Sequence, residues 1–191
     1  MDNKKDLTKE LLADCFHSLM LKMPFDKITI KMITDSAGLI RPTFYKHFQD
    51  KYEVLEWIFK NEVTDSVDLM LSNHMELDAI VMFCRCLEKD RKFYKRAYQM
   101  DPGPNSFEQV LTNYVYHTFL KLADRFSLKA DPEHKFLTKE IIATYYTYGL
   151  VNTIRDWIMD DKDTVSADDV AEGYKYLLSH SVLDLITLTG E

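Results

Sequence analysis

The scarcity of chain breakers is what most limits this sequence. Only five glycines and five prolines occur in 191 residues. A chain so poor in turn formers suits long helices better than many short strands. The breakers also cluster, at Pro24, at Asp101-Pro102-Gly103-Pro104-Asn105, at Asp131-Pro132 and around Asp160 to Thr164. Between them apolar residues recur at helical spacing. Helices are predicted over 7–23, from Thr29 to Ala37, over 41–48, from Asp50 towards His74, and over 77–99, 106–126, 132–159 and 167–188. The expected fold class is all-α.

Local signals sharpen the first third. Leu12, Phe16, Leu19, Met20 and Met23 share one face of the first helix, and Pro24 ends it by disfavouring helical geometry at the residue before it. Ile28 to Ile33 alternates as a strand would. Thr29 is, however, placed to cap a helix, with Ile28 and Ile33 as a hydrophobic staple across the cap. Gly38 stands where a helix-ending left-handed residue is expected. In the next segment Pro42 is tolerated because first-turn amides have no intrahelical partner. Phe44 and Phe48, four apart, face inward and leave Arg41, Thr43, Tyr45, Lys46 and His47 outside. Asp50-Lys51-Tyr52-Glu53 has the form of a capping box.

Composition excludes several classes. No apolar run approaches the roughly 20 residues that span a bilayer, and the start, Met1-Asp2-Asn3-Lys4-Lys5-Asp6, is charged, so a cytoplasmic location is expected. Cys15, Cys84 and Cys86 form neither a disulfide framework nor a metal-binding pattern, and no metal or cofactor is expected. There is no Gly-rich phosphate loop, H-E-x-x-H or nucleophile elbow, so an enzyme is not expected. The net charge of −7 argues against nucleic acid on average, but it is unevenly spread. From Lys22 to Lys51 six cations face three anions, so that segment is +3 and the remainder −10. A basic patch on an acidic body grips phosphate locally and discourages promiscuous binding.

Two short helices joined by a turn at Gly38, the second showing polar and aromatic side chains outward, meet the requirements of a helix-turn-helix. Arg41 suits a guanine edge or a phosphate. Thr43 suits a base or a thymine methyl, and Tyr45 offers a hydroxyl to a phosphate. Pro42, Lys46 and His47 complete the face. Thr29 and Lys51, each at a helix start, suit phosphate. The same residues would equally serve as an ordinary solvated surface.

The run from Ile33 to Lys51 resembles the N-terminal signature of the tetracycline-repressor (TetR) family, through Ala37-Gly38, Thr43, Tyr45, Phe48 and Lys51, followed by Leu55. Ile40 departs from it where a Ser or Thr cap is common, as does Pro42 where a small residue is common. Arg41-Pro42-Thr43-Phe44-Tyr45, with Tyr148-Gly149 and Trp157, is similar to the branch that regulates dihydroxyacetone-kinase operons. The resemblance implies a DNA-binding domain over 1–50 and a helical-bundle dimerisation and ligand domain over 51–191. It further implies double-stranded operator DNA as partner, a homodimer, and an unidentified small-molecule effector.

In the second domain Tyr94, Tyr98, Phe107, Tyr114, His117, Tyr145 and Trp157 are candidates to line a ligand pocket, although aromatics at helical spacing also build plain cores. Tyr148, Asn152, Tyr174, Leu178, Val182 and Leu185 are candidates for the dimer interface, with Gly149 and Gly173 allowing a close helix crossing. The competing reading is a helical protein-interaction adaptor without operator binding.

Overall fold

A computed structural model describes residues 2–125, 135–162, 164–181 and 185, with side chains from residue 7 onward. Its elements are α1 (Asp2–Met20), a 3-10 turn (Phe25–Lys27), α2 (Ile30–Ser36), α3 (Arg41–Tyr45) and α4 (Lys51–Phe59). A π-helical turn (Lys60–Thr64) carries α4 into α5 (Asp65–Ser72). Then come α6 (Glu76–Lys89), α7 (Arg91–Tyr98), α8 (Phe107–Arg125), α9 (Lys139–Met159) and α10 (Ala167–Ser179). The all-α expectation holds, and no strand occurs among the described residues.

Helix α1 packs on α2, α4 and α7, while α8 pairs with α9 and α10 with α6. A chain of ring contacts runs through the core. Phe25 meets Phe16 at 6.1 Å, Phe16 meets Phe93 at 6.4 Å, and Phe93 meets Tyr94 at 5.3 Å. Tyr94 and Phe59 then both reach Phe107, at 5.4 and 5.5 Å. These rings tie the N-terminal helices to the body by edge-on and tilted contacts, each favourable beyond the area it buries.

Several boundaries differ from expectation, among them the start of α9, which lies at Lys139 behind the cap Thr138 and not at 132. The 77–99 helix is broken at Asp90, whose φ of −126° and ψ of 42° leave the helical region. The break turns α7 so that Phe93, Tyr94 and Ala97 bury against α1 and α9. The connecting helix widens at Lys60–Thr64, where the side chains of Asn61 and Thr64 bond the carbonyls of Trp57 and Lys60, at 2.6 and 3.0 Å. Helix α10 stops at Ser179, because His180 adopts an extended backbone. Phe126 and Pro132, at predicted helix ends, lie outside the described residues.

Cations from α7 close the C-terminal end of α9. Arg91 bonds the carbonyls of Trp157 and Asp160 and lies over the Trp157 ring, while Lys95 bonds Met159 O at 3.1 Å and Asp161 at 2.5 Å. Positive charge at this helix end complements the negative pole of the macrodipole and supplies further donors to its last carbonyls.

The imidazole of His17 joins α1 to the α6–α7 junction. Its Nε2 bonds the Asp90 carboxylate and its ring stacks on Phe93 at 4.7 Å. The bond to Asp90 raises the His17 pKa above its ordinary value against opposing desolvation, and the Glu62 and Asp14 charges add to the rise. Burial also pushes up the carboxyl of Glu62, which accepts the Tyr94 hydroxyl at 3.3 Å. A histidine held charged contributes stability that is complete below about pH 6.5 and is lost as pH rises through the elevated folded value. Wild-type protein should therefore lose more stability than His17→Gln between pH 6 and 8.5. Urea unfolding at the two pH values checks this, and parallel losses in both proteins would rule it out.

Candidate nucleic-acid interface

The site is built from the turn that precedes α2. Thr29 caps that helix, its Oγ1 accepting Met32 N–H at 3.2 Å. Ile28 and Ile33 are both buried, as a staple requires. The helix ends in a Schellman motif. Gly38 has a φ of 65°, with Leu39 N–H donating to Thr34 O at 2.8 Å and Gly38 N–H to Asp35 O at 3.2 Å. Open space surrounds the position of a Cβ on Gly38, so the left-handed backbone, not crowding, calls for glycine here. This turn sets the direction in which α3 leaves α2.

Helix α3 has five residues, with Ile40 as an N-cap that makes no side-chain bond and Pro42 in the first turn. A helix this short is not stable alone. It is held because Phe44 and Phe48 are fully buried, 5.8 Å apart, with Phe48 edge-on to Trp57 at 6.1 Å. Arg41, Pro42, Tyr45 and Lys46 are exposed, and Thr43 and His47 are half-buried. Tyr45 is 52% exposed and Ile40 68% exposed. The sequence treats Ile40 as a lost cap. It makes no cap bond, and its side chain stands exposed beside Arg41.

Helix α4 starts as expected at Asp50, whose carboxylate accepts Tyr52 N–H and Glu53 N–H at 2.8 and 2.9 Å. Glu53 reaches back to Gln49 N–H at 2.5 Å rather than to the cap itself. Lys51 lies otherwise than expected of a phosphate ligand. Its ammonium donates to Phe25 O at 2.8 Å and Ile28 O at 3.0 Å and sits 4.2 Å from the Phe25 ring centroid. Burial lowers its pKa from the ordinary lysine value, partly offset by the Asp26 carboxylate. Lys31 pairs with Asp35 at 2.5 Å. The exposed cations Lys22, Lys27, Arg41 and Lys46 remain to give this end its positive field.

The aromatic set proposed for a pocket is divided. Tyr94 and Phe107 are fully buried in the ring chain, and Tyr98 packs edge-on to Phe107 at 5.0 Å. Trp157 is buried and donates to Val165 O at 2.8 Å. These four pack within the core and stand outside the walls of the two cavities described next. Tyr145 is 74% exposed on the outer face of α9. A small apolar cavity of about 140 Å³ does lie between α5, α6, α8, α9 and α10, with Leu71, Phe83, Phe119, Leu150 and Leu178 in its wall. Tyr114 borders it, and its hydroxyl donates to Asp68 at 3.1 Å. Tyr114 and His117 also face a wider polar cleft of about 700 Å³ between α4 and α8. Among the described residues no cluster of His, Cys, Asp and Glu suits a metal ion.

The interface set divides as well. Tyr148 and Asn152 are exposed on α9 beside Tyr145, at the i, i+3, i+7 spacing of a single face. Gly149 on this helix and Gly173 on α10 have open space where a Cβ would stand. Tyr176 and Leu177 add exposed apolar area on α10, at 48% and 51%. Tyr174 is instead buried within the chain, its hydroxyl donating to Tyr146 O at 3.1 Å, and so clamps α10 to α9. Leu178 is half-buried in the cavity wall, Leu185 is exposed, and Val182 lies outside the described residues.

Comparison with known proteins agrees with this architecture. Residues 17–58 match the model of the bacterial regulatory proteins of the tetR family, and residues 76–178, more than half of the chain, match its transcriptional regulator C-terminal region. The chain is 24% identical over 156 residues to the HTH-type dhaKLM operon transcriptional activator DhaS of Lactococcus lactis, covering 82% of each. It is 22% identical over 137 residues to the biofilm operon icaADBC negative regulator IcaR of Staphylococcus epidermidis, covering 69% of this chain and 74% of that one. The solved structure of the dihydroxyacetone kinase operon activator DhaS superposes with a TM-score of 0.68 at 23% identity, covering 90% of this chain and 94% of that one. A TetR regulator of Streptococcus agalactiae superposes with a TM-score of 0.63 at 18% identity, covering 93% and 96%. No helix among the described residues is long and apolar enough to cross a membrane. With both its N-terminal helix-turn-helix and its helical body matched, the chain belongs to the tetR family of bacterial regulatory proteins, whose activity is DNA-binding transcriptional regulation.

Proposed function

We propose that the protein reads a two-fold operator as a homodimer, with residues 1–50 as reading head and 51–191 as the body that pairs and regulates. The observation that carries this reading is the division of α3, in which Phe44 and Phe48 are buried while Arg41, Tyr45 and Lys46 are exposed. A helix of this length meets the major groove over little more than one turn, so few bases are read per subunit and a second copy doubles the site. Arg41, Thr43 and the apolar Ile40 contact base edges. Tyr45, Lys46, His47 and the start of α2 at Thr29 contact the backbone, with Pro42 shaping the approach. The outer face of α9 and α10 around Tyr145, Tyr148, Asn152, Gly149 and Gly173 forms the dimer. Among the relatives both an activator and a negative regulator occur, so the sign of control is left to the operator's position. An effector would act by population shift, favouring one spacing of the two heads, and the apolar cavity walled by α5 lies beside the helix that leads to them.

Enrichment of duplexes from a random pool tests the reading. Wild-type protein should select a two-fold sequence. On it, Arg41→Ala should lose about 1–3 kcal/mol and relax the preference at one base position. Tyr45→Ala should weaken all sequences alike. Selection of no duplex, together with capture of a defined protein partner, would favour the adaptor reading instead.

A further inference from the structure

Lys51 occupies the first turn of α4, where a cation opposes the helix dipole. Two of its three ammonium donors are committed to Phe25 O and Ile28 O, at 2.8 and 3.0 Å. These carbonyls belong to one closed turn, since Ile28 N–H also donates to Phe25 O at 3.0 Å. The ammonium lies over the Phe25 ring as well, and that ring packs on Tyr52 at 4.8 Å. One cation thus ties the 25–28 turn to the start of α4. The next residue is Thr29, the cap of α2, and α2 leads through the left-handed Gly38 into α3. To reach a phosphate the side chain would release both carbonyls, leaving Phe25 O with the Ile28 N–H alone and taking from Ile28 O the ammonium it accepts, which is unfavourable.

From this geometry we infer that Lys51 is a positioning residue, which fixes the brace helix and through it the reading helix from within, and is not a phosphate ligand. The inference rests on the proposal that α3 reads DNA. The two roles differ in a measurable way, because each phosphate contact adds about 0.9 to the slope of log affinity against log salt on duplex DNA.

The test uses Lys51→Met in the full chain, on a duplex enriched by the wild type. Positioning predicts that affinity falls at least about tenfold at every salt concentration while the slope stays as in the wild type. It also predicts amide exchange at least about tenfold faster at Ile28, Met32 and Ile33, whose N–H groups bond within this turn and cap. Should the methionine variant not fold, Lys51→Gln, which keeps two N–H donors without the charge, is read in the same way. A slope reduced by about one contact overturns the inference, and so does unchanged exchange at these amides. Failure of the DNA reading itself is seen separately. In that case the wild type enriches no duplex, or Arg41→Ala binds as the wild type does, and the exchange measurement still decides the role of Lys51.

Discussion

A chain carrying Tyr145→Glu and Tyr148→Glu is expected to sediment as a folded monomer and to bind the operator at least about 100-fold more weakly than wild type. Both tyrosines stand out from the body, 74% and 58% exposed, so the carboxylates add no strain to a single chain and helical content is kept. In a dimer built on this face the same groups would be buried as four like charges, and an unpaired charge taken out of water costs several kcal/mol. The open approaches at Gly149 and Gly173 let the backbones come close, which leaves little room for water to screen them. Loss of pairing removes the second reading helix from the same molecule, and with it an effective-concentration advantage of about 10²–10⁴. Sedimentation velocity and fluorescence anisotropy check the two halves of this expectation. A variant that remains dimeric with wild-type affinity would place the interface elsewhere.

The second large effect is expected at Phe44. Its ring has no exposure and lies 5.8 Å from Phe48 and 5.6 Å from Tyr45. Replacing a buried phenylalanine by alanine costs about 3–5 kcal/mol, through lost transfer energy and the cavity left behind. Here the cost falls on a five-residue helix without a side-chain cap bond, so the N-terminal unit should melt ahead of the body. Tyr45→Ala, one residue away but on the exposed side, should cost under about 1 kcal/mol. Trp57, edge-on to Phe48, reports the transition in urea unfolding followed by fluorescence. Equal midpoints for the two variants would contradict the division of α3 into buried and exposed sides.

The parts legible in the sequence are those decided within a few residues. Thr29 and Asp50 cap as their positions require, Gly38 takes the left-handed conformation, and Phe44 and Phe48 turn inward together. Features that depend on distant partners were not legible. Asp90 breaks a helix without proline or glycine, in a place where its carboxylate meets His17 from another element. Lys51 is directed by carbonyls 23 and 26 positions away. Periodicity marks Tyr94, Phe107 and Trp157 as inward, but does not separate a wall of cavity from a filled core. Nor does it show that Tyr145 faces out while Tyr174 is clamped within the chain. A helical stripe has the same period whichever surface covers it.

The widened turn at Lys60–Thr64 has a consequence for lineage and for engineering. A π-helical turn is one residue more than an α-helical path needs over the same rise. Removing a single residue within it would restore regular winding and leave the apolar stripes on both flanks in phase. The same deletion anywhere else between Lys51 and Ser72 would rotate one flank by about 100° against the other. A one-residue deletion along this shaft should therefore be tolerated at that turn alone, with the head still offered at the same angle to the body.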